Sequence, residues 1–207
     1  MQAPHQSIRR CQMNKTHMSR FAAVSAALAF SAAAPSMATD DKDDKFGAKL
    51  SGYNEVHFSA GPPAALRGAV STKAKGRFKA EINDQAQSIH FELSYNDLEG
   101  AVTQAHIHFG QHHSVGGIVV WLCQTTGTPA PAAVAALTPT CPVSGTVTGS
   151  IGPSQVLAQA AQGIEAGAFD ELVQAIRAGA TYANVHSTLH APGEIRGQLR
   201  DGDGHRH

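Results

Sequence analysis

The sequence has few cysteines, few aromatic residues and no net charge, and the last two features bear on its possible partners. Its 207 residues include 3 cysteines and 6% aromatic residues, and the formal net charge is 0. A neutral chain without a basic stripe argues against nucleic acid as a partner. A low aromatic content argues against a large protein interface, which usually exposes aromatic anchors. The identity of any protein partner stays open.

Long hydrophobic runs are also missing, except near the start of the chain. There, a short basic region and an alanine-rich apolar stretch precede Ser36-Met-Ala38, whose small residues suit signal peptidase. The pattern predicts that residues 1–38 are an upstream extension and a secretory signal, with a retained anchor helix as the alternative. Met1 and Met13 are both candidate starts. We expect a secreted or periplasmic protein without membrane contact after cleavage.

Two cysteines, Cys123 and Cys141, follow the predicted signal. In an exported chain, one even pair is typical of a disulfide. Such a bond would stabilise the fold by about 3 kcal/mol in the chain-entropy model. The alternative is a thiolate metal site, which normally has closer cysteine spacing. We therefore predict a disulfide between these residues.

The remaining chain divides into a charged linker over residues 39–46, a domain over 47–200 and a disordered polar tail over 201–207. Within the domain, alternating and β-branched segments predict a series of strands. These are Ala48–Tyr53, Lys75–Ile82, Ser88–Tyr95, Val102–Phe109, Ile118–Leu122, Gly145–Ile151, Tyr182–His186 and Glu194–Leu199. Ser154–Ala161 and Gly167–Ala178 are helix candidates. The predicted fold is mainly β, an antiparallel Greek-key β-sandwich with a short helical insertion.

Clustered histidines are the clearest functional signal. His106 and His108 are two residues apart in a strand, so both imidazoles leave the same face of the sheet. Imidazole is the commonest protein ligand for transition metals. His186 lies in a second strand and could supply a third ligand if the two strands are neighbours. The alternative is that His106 and His108 are polar groups on a solvated face.

Several segments closely resemble the CHRD domain, which is named for its occurrence in chordin and is widespread in exported bacterial proteins. They are Leu50–Glu55, His106–Gly110, Gly117–Val120, Gly179–His186 and Gly193–Leu199. The resemblance covers roughly residues 47–200. It implies an immunoglobulin-like β-sandwich and an extracellular binding or adhesion role.

A second similarity is to the copper superoxide dismutases. They share an H-x-H strand followed by Phe-Gly, a later Val-His ligand, a disulfide and an arginine beside the copper. The similarity implies a copper site at His106, His108 and His186, with Arg196 drawing in an anion such as superoxide. A structural ion pair with Glu194 or a neighbouring strand is an equal alternative for Arg196.

The further ligand of such a site is open among three histidines, His112, His113 and His190. The metal is open as well: an all-imidazole site suits copper or zinc, and copper binds more tightly. The sequence therefore leaves three functions to distinguish. They are a copper protein with superoxide dismutase-like activity, a non-catalytic adhesion or copper-buffering module, and a zinc hydrolytic site.

Overall fold

The structure is a computed structural model that describes residues 44–58 and 67–202. The predicted upstream extension and signal, and residues 203–207 of the predicted tail, lie outside the described residues. Within them, strand β1 begins at Lys45, inside the segment predicted as linker. At the other end, Arg200–Asp201 form the short strand β11, which pairs with β1.

Antiparallel strands dominate the fold. In chain order the elements are β1 Lys45–Ser51, β2 His57–Phe58, β3 Arg67–Gly68, β4 Lys75–Asn83, β5 Ser88–Asn96, β6 Val102–Phe109, β7 Gly117–Cys123, α1 Ala132–Ala135, β8 Gly145–Ile151, α2 Phe169–Arg177, β9 Thr181–Ser187, β10 Ile195–Gln198 and β11 Arg200–Asp201. The main sheet has the order β7-β6-β9-β10-β1-β4-β5-β8, with β11 on β1, and β2 pairs with β3 separately. This sheet nearly closes into a barrel-like sandwich, which confirms the predicted fold class.

The hairpin of β4 and β5 follows its sequence pattern closely. Alternate residues are buried, and the residues between them are mostly exposed. The buried set forms part of one hydrophobic core and includes Phe78, Ala80, Ile82, Ile89, Phe91 and Leu93. Because alternation places successive side chains on opposite faces, this hairpin has one dry face and one solvated face.

Helix α2 is amphipathic, as its spacing predicts. Phe169, Leu172, Val173 and Ile176 are buried on one face. Gly179 follows the helix with φ +65°, and its N–H donates to the carbonyl of Ile176, so this glycine caps the C-terminal end of the helix. Among the described residues, no helix is both long and apolar enough to cross a membrane.

The helix predicted over Ser154–Ala161 is wrong. Two single 3₁₀ turns, Pro153–Gln155 and Ala160–Gln162, stand there instead. Between them the Leu157 N–H donates to the carbonyl of Val119 on β7 over 2.9 Å. A tertiary hydrogen bond thus replaces the local helical one.

The disulfide between Cys123 and Cys141 is present, as predicted. It joins the end of β7 to the far end of a loop that contains α1, which the sequence analysis missed. Trp121 on β7 packs with Ala130 and Val134 from this loop in a second, smaller hydrophobic cluster. The disulfide therefore closes a loop that covers one side of β7.

Candidate metal centre

Strand pairing places polar residues in rows across neighbouring strands. On β6, His106 lies opposite Asn184 of β9 and Trp121 of β7, and Asn184 in turn lies opposite Arg196 of β10. The next residues on the same face of β6 and β9 are His108 and Tyr182, which also pair. His186 follows Asn184 by two residues and shares its face. The strand adjacency that the sequence could not establish is therefore present.

The opposite face of these strands belongs to the hydrophobic core, through Ala105, Ile107, Ala183 and Val185. The histidine face is buried too, because connecting segments cover it. His106, His108 and His186 are 0%, 7% and 6% exposed. The alternative of a solvated histidine face is therefore wrong.

The three imidazoles converge on one point. One ring nitrogen from each of His106, His108 and His186 lies within 4.8 Å of the other two. Nδ1 of His106 is 3.2 Å from Nε2 of His186. A tetrahedral ion with bonds of about 2.0–2.1 Å separates its ligand atoms by about 3.3–3.4 Å. The cluster could hold a metal ion after small adjustments.

A fourth polar atom, Oδ1 of Asn184, faces the same point. It lies 3.1 Å from Nε2 of His108 and 3.1 Å from Nε2 of His186. The side chain of Asn184 also hydrogen-bonds to Glu55. This hydrogen bond lowers the pKa of Glu55, so the amide nitrogen of Asn184 donates to the carboxylate and the amide oxygen is left for the histidines.

Backbone carbonyls set the tautomers of two imidazoles. Nδ1 of His108 is 2.9 Å from the Gly116 carbonyl, and Nδ1 of His186 is 2.8 Å from the Ala191 carbonyl. A carbonyl oxygen only accepts, so each Nδ1 must carry the hydrogen. In the neutral rings both Nε2 atoms then present lone pairs. Metal-binding histidines typically have this second contact.

His106 and His108 are held neutral by their surroundings. Burial lowers the pKa of His106 well below its ordinary value, and the neighbouring His186 and His108 lower it further. Burial, opposed in part by the Gly116 hydrogen bond, lowers the pKa of His108 to about 4. Deprotonated imidazole is the form that binds metals. At neutral pH His106 and His108 are therefore in the form that binds a metal.

Glu55 is a buried carboxylate next to this cluster, and the sequence analysis missed it. Burial raises its pKa to about 7, although Arg196 and the hydrogen bonds from Val56 and Asn184 oppose that rise. The turn at Gly193, with φ +132°, passes so close that a Cβ there would lie 2.7 Å from Oε1 of Glu55. Only glycine fits this position without displacing the carboxylate.

Arg196 fastens the loop over residues 110–116 to the site. It is 2% exposed. Its guanidinium donates to the carbonyls of Ser114 over 2.7 Å and Gln111 over 3.1 Å. Its central carbon lies 3.3 Å from the centre of the Tyr182 ring, whose other neighbour is the stacked ring of His108. Within the described chain no ion pair joins Arg196 to Glu194, and its guanidinium instead makes structural hydrogen bonds to the loop.

The structure does not bring the other candidate histidines to the cluster. His112 and His113 are exposed in the loop after β6, and their rings contact each other with centres 3.8 Å apart. His190 lies in a separate group with Glu99 and Glu194. The side chain that could supply a further metal ligand is instead Asn184, through its amide oxygen. Its position two residues before His186 places both side chains on the same face of the strand, a spacing that the sequence already shows.

Comparison with known proteins gives one match. The profile of the CHRD domain matches residues 46–199. Neither the curated proteins nor the solved structures contain a significant match. The matched range covers most of the chain and contains every residue of the histidine cluster. The protein therefore belongs to the CHRD domain family.

Proposed function

We propose that this protein binds one copper ion through His106, His108 and His186 after export. The observation that carries the proposal is the convergence of one ring nitrogen from each of the three buried histidines, with the Asn184 oxygen 3.1 Å from two of them. Buried lone pairs that face one another are unfavourable unless a proton or a cation lies between them. The lowered histidine pKa values disfavour the proton.

Copper is the best match for the ligands. Affinity of a nitrogen site for divalent first-row metals rises to copper and falls at zinc. The disulfide between Cys123 and Cys141 and the CHRD family fit a secreted protein, where copper is more accessible than in the cytosol. Asn184 would be the neutral fourth neighbour of the ion, held by Glu55.

Superoxide dismutase-like activity stays a prediction from the sequence. Its premise is that Arg196 attracts the anion, but the guanidinium donors are directed at two loop carbonyls. These contacts favour a role for Arg196 in positioning the loop. A copper-holding module is therefore the function that we put forward, and turnover is an outcome to be measured.

The test compares two pairs of histidines in the metal-free, purified protein. Copper affinity is measured by competition with a chelator, and the Cu(II) paramagnetic spectrum is recorded. We expect one tightly bound ion in the wild type, and a loss of roughly a hundredfold or more in affinity in His106→Ala/His108→Ala. The matched control, His112→Ala/His113→Ala, removes two exposed histidines and should retain the tight site.

Because alanine at two buried positions can disturb folding, His186→Gln provides a second variant, with circular dichroism as the check. Equal copper affinity in the folded variants and the wild type would refute the proposal. Retention of zinc against an equimolar amount of copper would refute the assignment of the metal. Loss of superoxide by the copper-loaded protein, absent from His186→Gln, would extend the function to catalysis.

A further inference from the structure

A second group of metal-binding side chains lies at the turns beside the histidine cluster. A carboxylate oxygen from each of Glu99 and Glu194 and a ring nitrogen of His190 lie within 4.8 Å of one another. Glu99 belongs to the turn between β5 and β6, whereas His190 and Glu194 belong to the turn between β9 and β10. The group therefore joins two turns that are far apart in the sequence.

Glu194 is the unusual member of this group. Its side chain is 0% exposed. Oε1 accepts hydrogen bonds from the Thr72 hydroxyl and the Glu99 N–H, both over 2.8 Å. Oε2 is buried and has no hydrogen-bond partner within the described chain. No lysine or arginine of that part of the chain forms an ion pair with this carboxylate.

A buried carboxylate with an unsatisfied oxygen is costly unless a cation or a proton compensates it. The other two members supply what a cation would need. Nε2 of His190 is 3.0 Å from Oε2 of Glu99, and both side chains are partly open to solvent, at 24% and 43%. An ion can therefore enter from the Glu99 side and reach the buried Glu194.

We propose that Glu99, His190 and Glu194 form a second cation site, distinct from the histidine cluster. Two carboxylates and one imidazole suit a divalent ion of harder character than copper, such as Mn²⁺. The bound ion would take the place of the direct contact between His190 and Glu99 and neutralise Glu194. It would also tie together two turns, one of which carries the Ala191 carbonyl that orients His186.

The experiment titrates the metal-free, purified protein with Mn²⁺ and follows the spectrum of the free ion by electron paramagnetic resonance. We expect saturable binding of one Mn²⁺, weakened roughly tenfold or more in Glu99→Gln and in His190→Gln. The matched control is Glu92→Gln, which removes the same charge from a half-exposed glutamate on β5. It should leave the Mn²⁺ affinity within about twofold of the wild type, because Glu92 does not belong to the proposed group.

Two further variants make the result specific. Glu194→Gln should abolish both Mn²⁺ binding and the rise in melting temperature that Mn²⁺ gives the wild type. His186→Gln removes a nitrogen from the histidine cluster and should retain Mn²⁺ binding, which separates this site from the proposed copper site. No saturable Mn²⁺ binding by the wild type, or equal weakening in Glu99→Gln and Glu92→Gln, would overturn the proposal.

Discussion

In both the β4–β5 hairpin and the β6–β9 pair, apolar residues alternate with polar ones, and the apolar residues face the hydrophobic core. The two pairs differ in whether the opposite, polar face is exposed to solvent. On the hairpin, Lys79 and Glu92 are cross-strand partners, and each side chain is about half exposed. On the other pair, the equivalent partners are His106 and Asn184, which are 0% and 3% exposed. Alternation therefore tells which residues share a face, and tertiary cover decides whether that face is solvated.

The difference in burial separates polar residues that only face solvent from polar residues that can form a site. A polar face in water needs no special partners, and its ion pairs contribute little stability. A buried polar face must satisfy its groups, so its side chains form a network. Here the network runs from Glu55 through Asn184 to the histidines. We expect substitutions on the buried polar face of β6 and β9 to change stability more than substitutions on the solvated face of β4 and β5.

The largest expected effect concerns the loop that packs on β7, the strand next to the buried polar face of β6 and β9. Cys123→Ala/Cys141→Ala removes the disulfide that closes the loop beside β7, and we expect the free energy of unfolding to fall by about 3 kcal/mol. Urea denaturation measures the change, and reduction of the wild type should reproduce it. A midpoint unchanged in both experiments would mean that the loop is held without the bond.

A smaller effect is expected from the loop contact of Arg196. Arg196→Met removes two charge-assisted hydrogen bonds to the loop, and we expect a loss of about 2 kcal/mol in unfolding free energy. Amide hydrogen exchange over residues 111–114 should accelerate. The control, Lys79→Met on the solvated face of the β4–β5 hairpin, should change stability by less than about 0.5 kcal/mol. Equal losses in both variants would mean that the buried and the solvated polar faces do not differ in this respect.

The pH dependence of stability reports the buried titratable groups. Between pH 4.5 and 6.5 the unfolded state takes up protons on His106 and His108 that the native state excludes, so stability falls as pH falls. Glu55 acts in the opposite direction. Its raised pKa, about 7, keeps it protonated in the native state while it ionises in the unfolded state, so its contribution declines as pH rises from 4.5 to about 7.

Glu55→Gln removes the opposing contribution. In the metal-free variant we expect the stability to depend more steeply on pH between 4.5 and 6.5, by about 1.4 kcal/mol per pH unit. We also expect the variant to be more stable than the wild type at pH 8, since the buried charge is gone. Denaturation curves at several pH values provide the measurement. Superimposable pH profiles would show that Glu55 titrates normally.

Much of the fold was predictable because local patterns agree with it. The alternation in β4 and β5, the spacing of Phe169, Leu172, Val173 and Ile176 in α2, and the glycine after α2 all act within a few residues. The helix predicted over Ser154–Ala161 failed because that segment makes a hydrogen bond to β7 instead. Single-segment patterns do not contain such long-range contacts.

The histidine cluster was only partly predictable for the same reason. Spacing placed His106 and His108 on one face, and the CHRD resemblance singled out His186. The neighbour relation between β6 and β9 depends on the path of the whole chain. Glu55 lies in a turn without any local signal, and only the close approach of Gly193 and Asn184 gives it a role.

The central claim is that the buried polar face of β6 and β9 holds a metal ion. Crystals of the copper-loaded protein, measured at the copper absorption edge, would locate the ion by its anomalous scattering. We expect one strong peak within about 2.0–2.1 Å of a ring nitrogen of each of His106, His108 and His186. A peak at His112 and His113 with none between β6 and β9 would contradict the claim.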